Sequence, residues 1–244
     1  MNPVAPPGWR LRHYESLAST SDLCVSLAQA GEPARLAVTA ARQTHARGSR
    51  GRTWQTLPGN LALSVLLRPA GRAADAGQWA LLAAVALAEA LEQVAPAVTL
   101  HVKWPNDVVL AGAKVGGILI DTALGGTGRL DWLVLGFGAN LAAAPDLPGR
   151  QAGMVPAAAG PAASALLDRL DHWDRIRLLH GFAPVRRAWL DRGPAPGTQM
   201  RVRLGNADLG GTFAGLGDDG GLLLQSGGRV HALPTGEVLQ MDGG

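Results

Sequence analysis

The chain carries 20 arginines but only two lysines, and both lysines, Lys103 and Lys114, fall in one stretch, KWPNDVVLAGAKVGG. Lysine is a compact, strongly hydrated point charge and arginine a broad planar fork, so a site needing a narrow cation beside a phosphate or carboxylate resists their exchange. Gly116 and Gly117 follow Lys114 and let backbone approach a ligand with no side chain in the way, although a hairpin bulge would explain the same pair. In WPND, Pro105 restricts Trp104 to extended backbone, and Asn106 and Asp107 supply an amide and a carboxylate for either a turn or a site. A second concentration of charge, RQTHARGSRGRTW, places Arg42, Arg47, Arg50 and Arg52 within eleven residues among glycines. Arginines beside free backbone N–H groups suit a small polyanion. The GxxxxGK[ST] phosphate loop is missing, and a solvated basic loop is the competing reading.

Other chemistries find less support. The six histidines are scattered without H-x-x-x-H or HExxH spacing, which argues against zinc, and no Ser-His or Cys-His constellation is evident. The single cysteine, Cys24, sits in the apolar run LCVSLA as packing would require, excludes an intrachain disulfide, and fits a reducing cytoplasm. A net charge of +3 is a weak case for nucleic acid. The N-terminal residues MNPVAPPGWRLRHY lack an apolar export core, and the longest apolar run, Trp79 to Ala88, falls well short of the roughly 20 residues that cross a bilayer, so no membrane role is expected.

The elements that position these residues follow from periodicity. Ser19 with Asp22 predicts a helix entrance at STSD and a helix over about 21 to 30, closed by Gly31 and Pro33. LAVTAAR (36 to 42) and LALSVLL (61 to 67) read as strands, with the arginine-rich loop between them. Gln78 to Val94 has helical period and a wide apolar face. VTLHVKW, NDVVL, the turn AGAK, VGGILID and WLVLGFGAN predict a strand, a hairpin and a further strand. Residues 142 to 163 make an irregular connection, and 165 to 193 read as one or two amphipathic helices. Beyond a boundary near 195, short alternating strands with glycine-rich turns give the pattern of a small β-barrel. With 244 residues and 47% hydrophobic content, one sizeable core plus a small second domain is expected, 1–195 and 196–244.

Taken in order, STSD, RQTHARGSRGRTW, GNLALSVLL, KWPNDV, KVGGILID and GFGAN resemble the biotin protein ligase family over about residues 11 to 140. KWPND followed by K-x-GGIL is the specific part. The resemblance implies an α+β fold: a mixed β-sheet flanked by helices, like the catalytic domain of class II aminoacyl-tRNA synthetases, with a small C-terminal barrel like the Src-homology-3 fold. It implies ATP and biotin as substrates, Mg²⁺, a biotinyl-adenylate intermediate and an acceptor lysine on a biotin carboxyl carrier protein. Lipoate or octanoate transfer is the alternative. Some relatives carry an N-terminal helix-turn-helix, but only about ten residues precede the match here, so no specific DNA binding is expected. A weak or ligand-dependent homodimer is compatible with the family.

Carried over by position, the resemblance sets Ser19, Thr20, Ser21 and Gln43 on the ureido end of biotin, whose donors and acceptors hydroxyls and an amide can serve. Arg47, Gly48 and Ser49 belong to the loop over biotin and phosphate, Trp54 lies along the aliphatic tail, Lys114 holds the carboxylate and α-phosphate, and Gly117 lets the backbone close. Arg50, Arg52, Lys103, Asn106 and Asn140 are assigned to ATP, with the two asparagines at adenine, and Asp107 to Mg²⁺ or its water shell. Lys114 and Arg47 are the candidate catalytic residues. Where many relatives read GRGRxGR this chain reads Ala46-Arg47-Gly48-Ser49-Arg50-Gly51-Arg52, with serine replacing one arginine. No aromatic lies between Leu141 and Asp171, so a ring that stacks on adenine in some relatives is missing, and Met154 is the candidate substitute.

Overall fold

The computed structural model describes residues 3–126, 128–149 and 151–241. Seven strands form the larger sheet: β1 (Arg10–Leu17), β2 (Leu36–Gln43), β3 (Leu61–Leu67), β4 (His101–Lys103), β5 (Asp107–Leu110), β6 (Ala113–Leu124) and β7 (Leu130–Ala139), in the order β1-β2-β3-β7-β6-β5-β4. Only β1 and β2 run parallel, joined by helix α1 (Thr20–Gln29), so the sheet is mixed as expected. The edge strand β1 is the element that sequence periodicity missed. Its RLRHYESL is polar and at most half-buried, and pairing to β2 rather than an apolar face holds it. The strand expected over VTLHVKW is confined to His101–Lys103, and the Trp104–Pro105 bond that follows is cis.

One face of the sheet carries α2 (Ala76–Val94), whose alanines let it lie close to the strands. Twelve of its residues are buried, and α3 (Ala159–His180) and α4 (Ala183–Leu190) pack over it. With the turn before it, α2 forms a 22-residue apolar segment, longer than the ten-residue run suggests and long enough by composition to span a bilayer. Here it is the central core helix. The other face carries α1 over a smaller cluster of Cys24, Ala28, Leu36, Val38, Leu66, Trp132 and Val134. Ser19 caps α1, its hydroxyl accepting from Asp22 N at 3.2 Å.

Strands β8 (Gln199–Leu204), β9 (Ala207–Leu216), β10 (Leu222–Ser226), β11 (Arg229–Leu233) and β12 (Glu237–Met241) make a separate antiparallel sheet, ordered β11-β10-β9-β8-β12. Its inward residues Val202, Phe213, Leu216, Leu222, Leu224 and Val238 join the same hydrophobic cluster as α2. Two tryptophans knit the units. Trp189 of α4 packs against Phe213 with ring centroids 6.4 Å apart, and Trp104 donates its indole N–H to Gly220 O at 3.2 Å while packing beside Gly236.

Trp104 is 4% exposed and touches both units. Trp104→Ala is expected to cost about 3–5 kcal/mol, the range for emptying a buried indole site. A denaturant titration showing less than about 1 kcal/mol of lost stability would mean that the two sheets do not depend on this contact.

Candidate active site

An open cleft of about 470 Å³ lies between the start of α1, the arginine-rich loop and the β6–β7 pair. It is lined by Ser19, Thr20, Ser21, Gln43, Arg47, Gly48, Ser49, Trp54, Asn106, Lys114 and Gly117, all of them expected site residues. Ile118, Leu119, Gly136, Phe137 and Gly138 complete the lining and were not singled out from the sequence. The glycines carry a readable signal, since Gly136 and Gly138 in GFG share one face of β7 by the two-residue period of a strand. A Cβ at Gly136 would overlap the Ser21 hydroxyl, and one at Gly138 would overlap the Trp54 indole. The two glycines thus let Ser21 and Trp54 lie directly against β7.

Lys114 reaches this face through a bulge. Asp107 pairs with Gly117 and Val108 with Gly116, but Val109 pairs with Lys114, leaving Val115 unmatched. Alternation alone would put residues 114 and 117 on opposite faces; one extra residue returns them to the same face. The lysine then folds over Gly117, whose added Cβ would lie 2.9 Å from Lys114 Nζ, while Gly116 abuts Leu87 of α2. The glycine pair is thus part of a bulge, and its missing side chains admit Lys114 on one face and Leu87 on the other. Lys114 Nζ bonds Asp107 Oδ1 at 2.5 Å and stands 5.6 Å from the centroid of the Trp54 ring. The hairpin turn is Ala111-Gly112, both at positive φ as a two-residue connection of this hand requires.

At the α1 end the polar groups fix one another. Gln43 Oε1 accepts from Thr20 N at 2.8 Å and Thr20 Oγ1 at 3.1 Å, and its amide donates to Thr56 at 3.0 Å. Because Thr20 gives its only hydroxyl proton to Gln43, the buried Ser64 must donate to Thr20 at 2.8 Å, and Ser21 must donate to Ser64 at 3.0 Å. Ser21 thus keeps acceptor capacity on its oxygen. Ser19 accepts from Asp22 N and keeps its proton to donate. Ser64, which orders this chain, lies inside an apolar strand run and gave no sequence signal.

The loop forms a narrow hairpin in which Arg47 bridges Thr53, Gly48 N donates to Arg52 O at 2.7 Å, and Trp54 N donates to Ala46 O at 3.0 Å. Arg47 Nε contacts Asp22 at 2.6 Å, and its two terminal nitrogens contact both oxygens of Asp121 at 2.7 and 3.3 Å. Burial works against the Arg47 charge, but hydrogen bonds and charge from Asp121 and Asp22 outweigh it and raise the guanidinium pKa.

The residues expected at the nucleotide are placed less uniformly. Asn106 lines the cleft and braces β5 to β6, donating to Ile118 O and accepting from Ile118 N. Arg50 and Arg52 lie outside the lining, paired with Glu237 of β12, and Arg50 also donates to Gly236 O. Lys103 stands on β4 opposite Asp107. Asn140 is 1% exposed and engaged inside, donating to Gly153 O at 2.9 Å and contacting Asn60 at 3.4 Å. Met154 is 40% exposed on the neighbouring segment. Among the described residues no three His, Cys, Asp or Glu side chains come together as a metal site.

Burial pushes the Cys24 thiol up to about 12, which removes the one cysteine as a nucleophile. A thiol reagent at pH 8 is expected to leave the native protein unmodified and to label Cys24 only on unfolding. Rapid native labelling would contradict its placement.

Residues 14–140, just over half of the chain, match the biotin/lipoate A/B protein ligase family. The biotin--[acetyl-CoA-carboxylase] ligase of Paracoccus denitrificans is 38% identical over 213 residues, covering 82% of this chain and 88% of the relative. The bifunctional ligase/repressor BirA of Bacillus subtilis (strain 168) is 29% identical over 242 residues, 95% of this chain and 74% of its own length. Among solved structures, biotin protein ligase from Aquifex aeolicus in complex with biotin and ATP superposes with a TM-score of 0.79 at 24% identity, covering 94% of this chain and 97% of that one. The Leishmania major biotin protein ligase in complex with biotinyl-5-AMP gives 0.60 at 26% identity, covering 94% and 99%. On the length and identity of these matches, the chain belongs to the biotin/lipoate A/B protein ligase family.

Proposed function

We infer that this chain is a biotin protein ligase, activating biotin with ATP and passing it to a lysine of a biotin carboxyl carrier protein. The observation that carries this reading is the polarity of the cleft along β7. Beside Gly136 stands Ser21, an acceptor, and Ser19, a donor, lines the same cleft from the start of α1. One strand period away, about 6–7 Å, Gly138 and Gly117 face the Trp54 ring and the Lys114 ammonium. A neutral cyclic urea, an apolar tail and a carboxylate follow the same order.

The biotin carboxylate attacks the α-phosphorus of ATP and pyrophosphate leaves; the acceptor amine then attacks the mixed anhydride, loses its proton and releases AMP. Two anions meet in the first step, so cancelling charge and fixing an in-line approach are the main demands on the protein. Lys114 meets them at the carboxylate end, and Arg47, Arg50, Arg52 and Lys103 supply further positive charge for the phosphates. The anhydride needs no enzyme nucleophile. Asp107 would hold the water shell of a Mg²⁺ accompanying ATP, which would supply further cancellation of phosphate charge. We assign residues 1–195 to the catalytic unit and 196–244 to a supporting one, the ends 1–2 and 242–244 lying outside the described residues. Adenine contact by Asn106 and Asn140, and action in a reducing cytoplasm without specific DNA contact, belong to the same proposal.

Labelled pyrophosphate is expected to exchange into ATP only with biotin and Mg²⁺ present, because adenylation is reversible before transfer. Exchange that ignores biotin, or prefers lipoate, removes the reading. In the same assay Lys114→Ala should slow adenylation by roughly two to three orders of magnitude, the scale for losing one preorganised electrostatic contact, and Lys114→Arg should also fall because its fork does not fit over Gly117. Melting points should move little, since Lys114 is about a third exposed. A folded Lys114→Ala protein with normal exchange would transfer the role to Lys103.

A further inference from the structure

Arg47 does not stand beside Lys114. Its guanidinium is held at Asp121, while Lys114 folds over Gly117 on the same face of β6. Four residues of strand separate those anchors, roughly 13 Å. The two cations credited with receiving carboxylate and phosphate are thus parked at opposite ends of the cleft. Arg47 is also over-matched: Asp22 at the start of α1 and Asp121 on β6 surround one positive charge with two negative ones, both terminal nitrogens donating to Asp121 and Nε lying 2.6 Å from Asp22 Oδ1. In this arrangement the group is a poor attractor of anions. The two carboxylates differ. Asp121 binds end-on through both oxygens with a side chain 24% exposed, and Asp22 binds through one oxygen with a side chain 53% exposed.

We propose that Asp22 and Asp121 are positioning residues that hold Arg47 in a resting place and release it to the phosphates of the incoming nucleotide. Asp121 is the main anchor, and Asp22, the more exposed single contact, gives way first. Release is inexpensive because both partners are partly solvated, so each contact is worth little in isolation. The hairpin around Arg47 is closed by its own backbone, Arg47 bridging Thr53 and Gly48 N donating to Arg52 O, so the motion is one of a side chain on a held loop. The proposal rests on the ligase reading for the identity of the anion, but the resting contact itself does not.

Two measurements separate the parts. Trypsin must take the Arg47 guanidinium into its own acidic pocket and draw the Arg47–Gly48 backbone out of its hairpin, so with the hairpin common to parent and variants, the ratio of their rates reports the contribution of the contact. In the ligand-free protein Asp121→Asn is expected to speed cleavage after Arg47 roughly two- to five-fold, the range for losing a partly exposed ion pair, and Asp22→Asn to speed it less. Cleavage after Arg50 and Arg52 should stay unchanged in both and serves as the internal reference. In biotin-dependent pyrophosphate exchange, Asp121→Asn should lower the KM for MgATP by a similar factor with kcat no higher than that of the parent. Unchanged cleavage after Arg47 in both variants overturns the resting contact. Faster cleavage with a KM for MgATP that is unchanged or raised overturns the exchange, because the carboxylates would then not compete with the nucleotide. A parent protein with no biotin-dependent exchange would sink the ligase reading and leave the tryptic result to judge the contact alone.

Discussion

Cations gathered to receive an anionic substrate repel one another until it arrives, and each needs an interim counter-charge. The ligand-free protein meets this constraint with carboxylates from separate elements. Lys114 has Asp107 on β5, Arg47 has Asp22 on α1 and Asp121 on β6, and Arg50 and Arg52 share Glu237 on β12. Lys114 and Asp107 meet across one hairpin, whereas the arginines find carboxylates far away in sequence, so those pairings exist only in the folded chain. The constraint also fixes much of the architecture: the arginine-rich hairpin must reach both the large sheet and the C-terminal strands, which keeps the second sheet pressed against the first.

The rigidity behind this arrangement lies on the opposite side of the large sheet. There α2 is buried along nearly its whole length between strands and the α3–α4 layer, and its alanines allow the close approach on which Gly116 depends. The cleft side is polar and open, with a much smaller apolar cluster beneath α1. One face supplies most of the packing free energy, and the other is left free to carry hydroxyls, an amide and unmated lone pairs.

Sequence and structure agree best where a local pattern determines an element. LALSVLL is apolar at every position but one and becomes β3 at the limits read from periodicity, and STSD caps α1 through its own serine. Lys114 and its paired glycines stood out by type and spacing, whereas Ser19, Thr20, Ser21, Gln43 and Trp54 were singled out as site residues only through the family resemblance. What stayed hidden was long-range. The edge strand β1 has no apolar stripe to announce it, Ser64 looks like an interruption in a hydrophobic run, and nothing near Arg47 in sequence points to Asp121. Asn140 was legible as a residue but its neighbours were not: its side chain is engaged with Gly153 and Asn60, both on other segments of the chain.

The unmatched Val115 has a further meaning. Because it alone restores Lys114 to the face of Gly117, the count of residues between lysine and glycine carries as much chemistry as their identities. Another apolar residue could replace valine there and leave the register unchanged, but losing or gaining one residue in KVGG would set Lys114 and Gly117 on opposite faces of the strand with every side chain still present. The reading frame of the strand, more than any single side chain, is what inheritance has to protect.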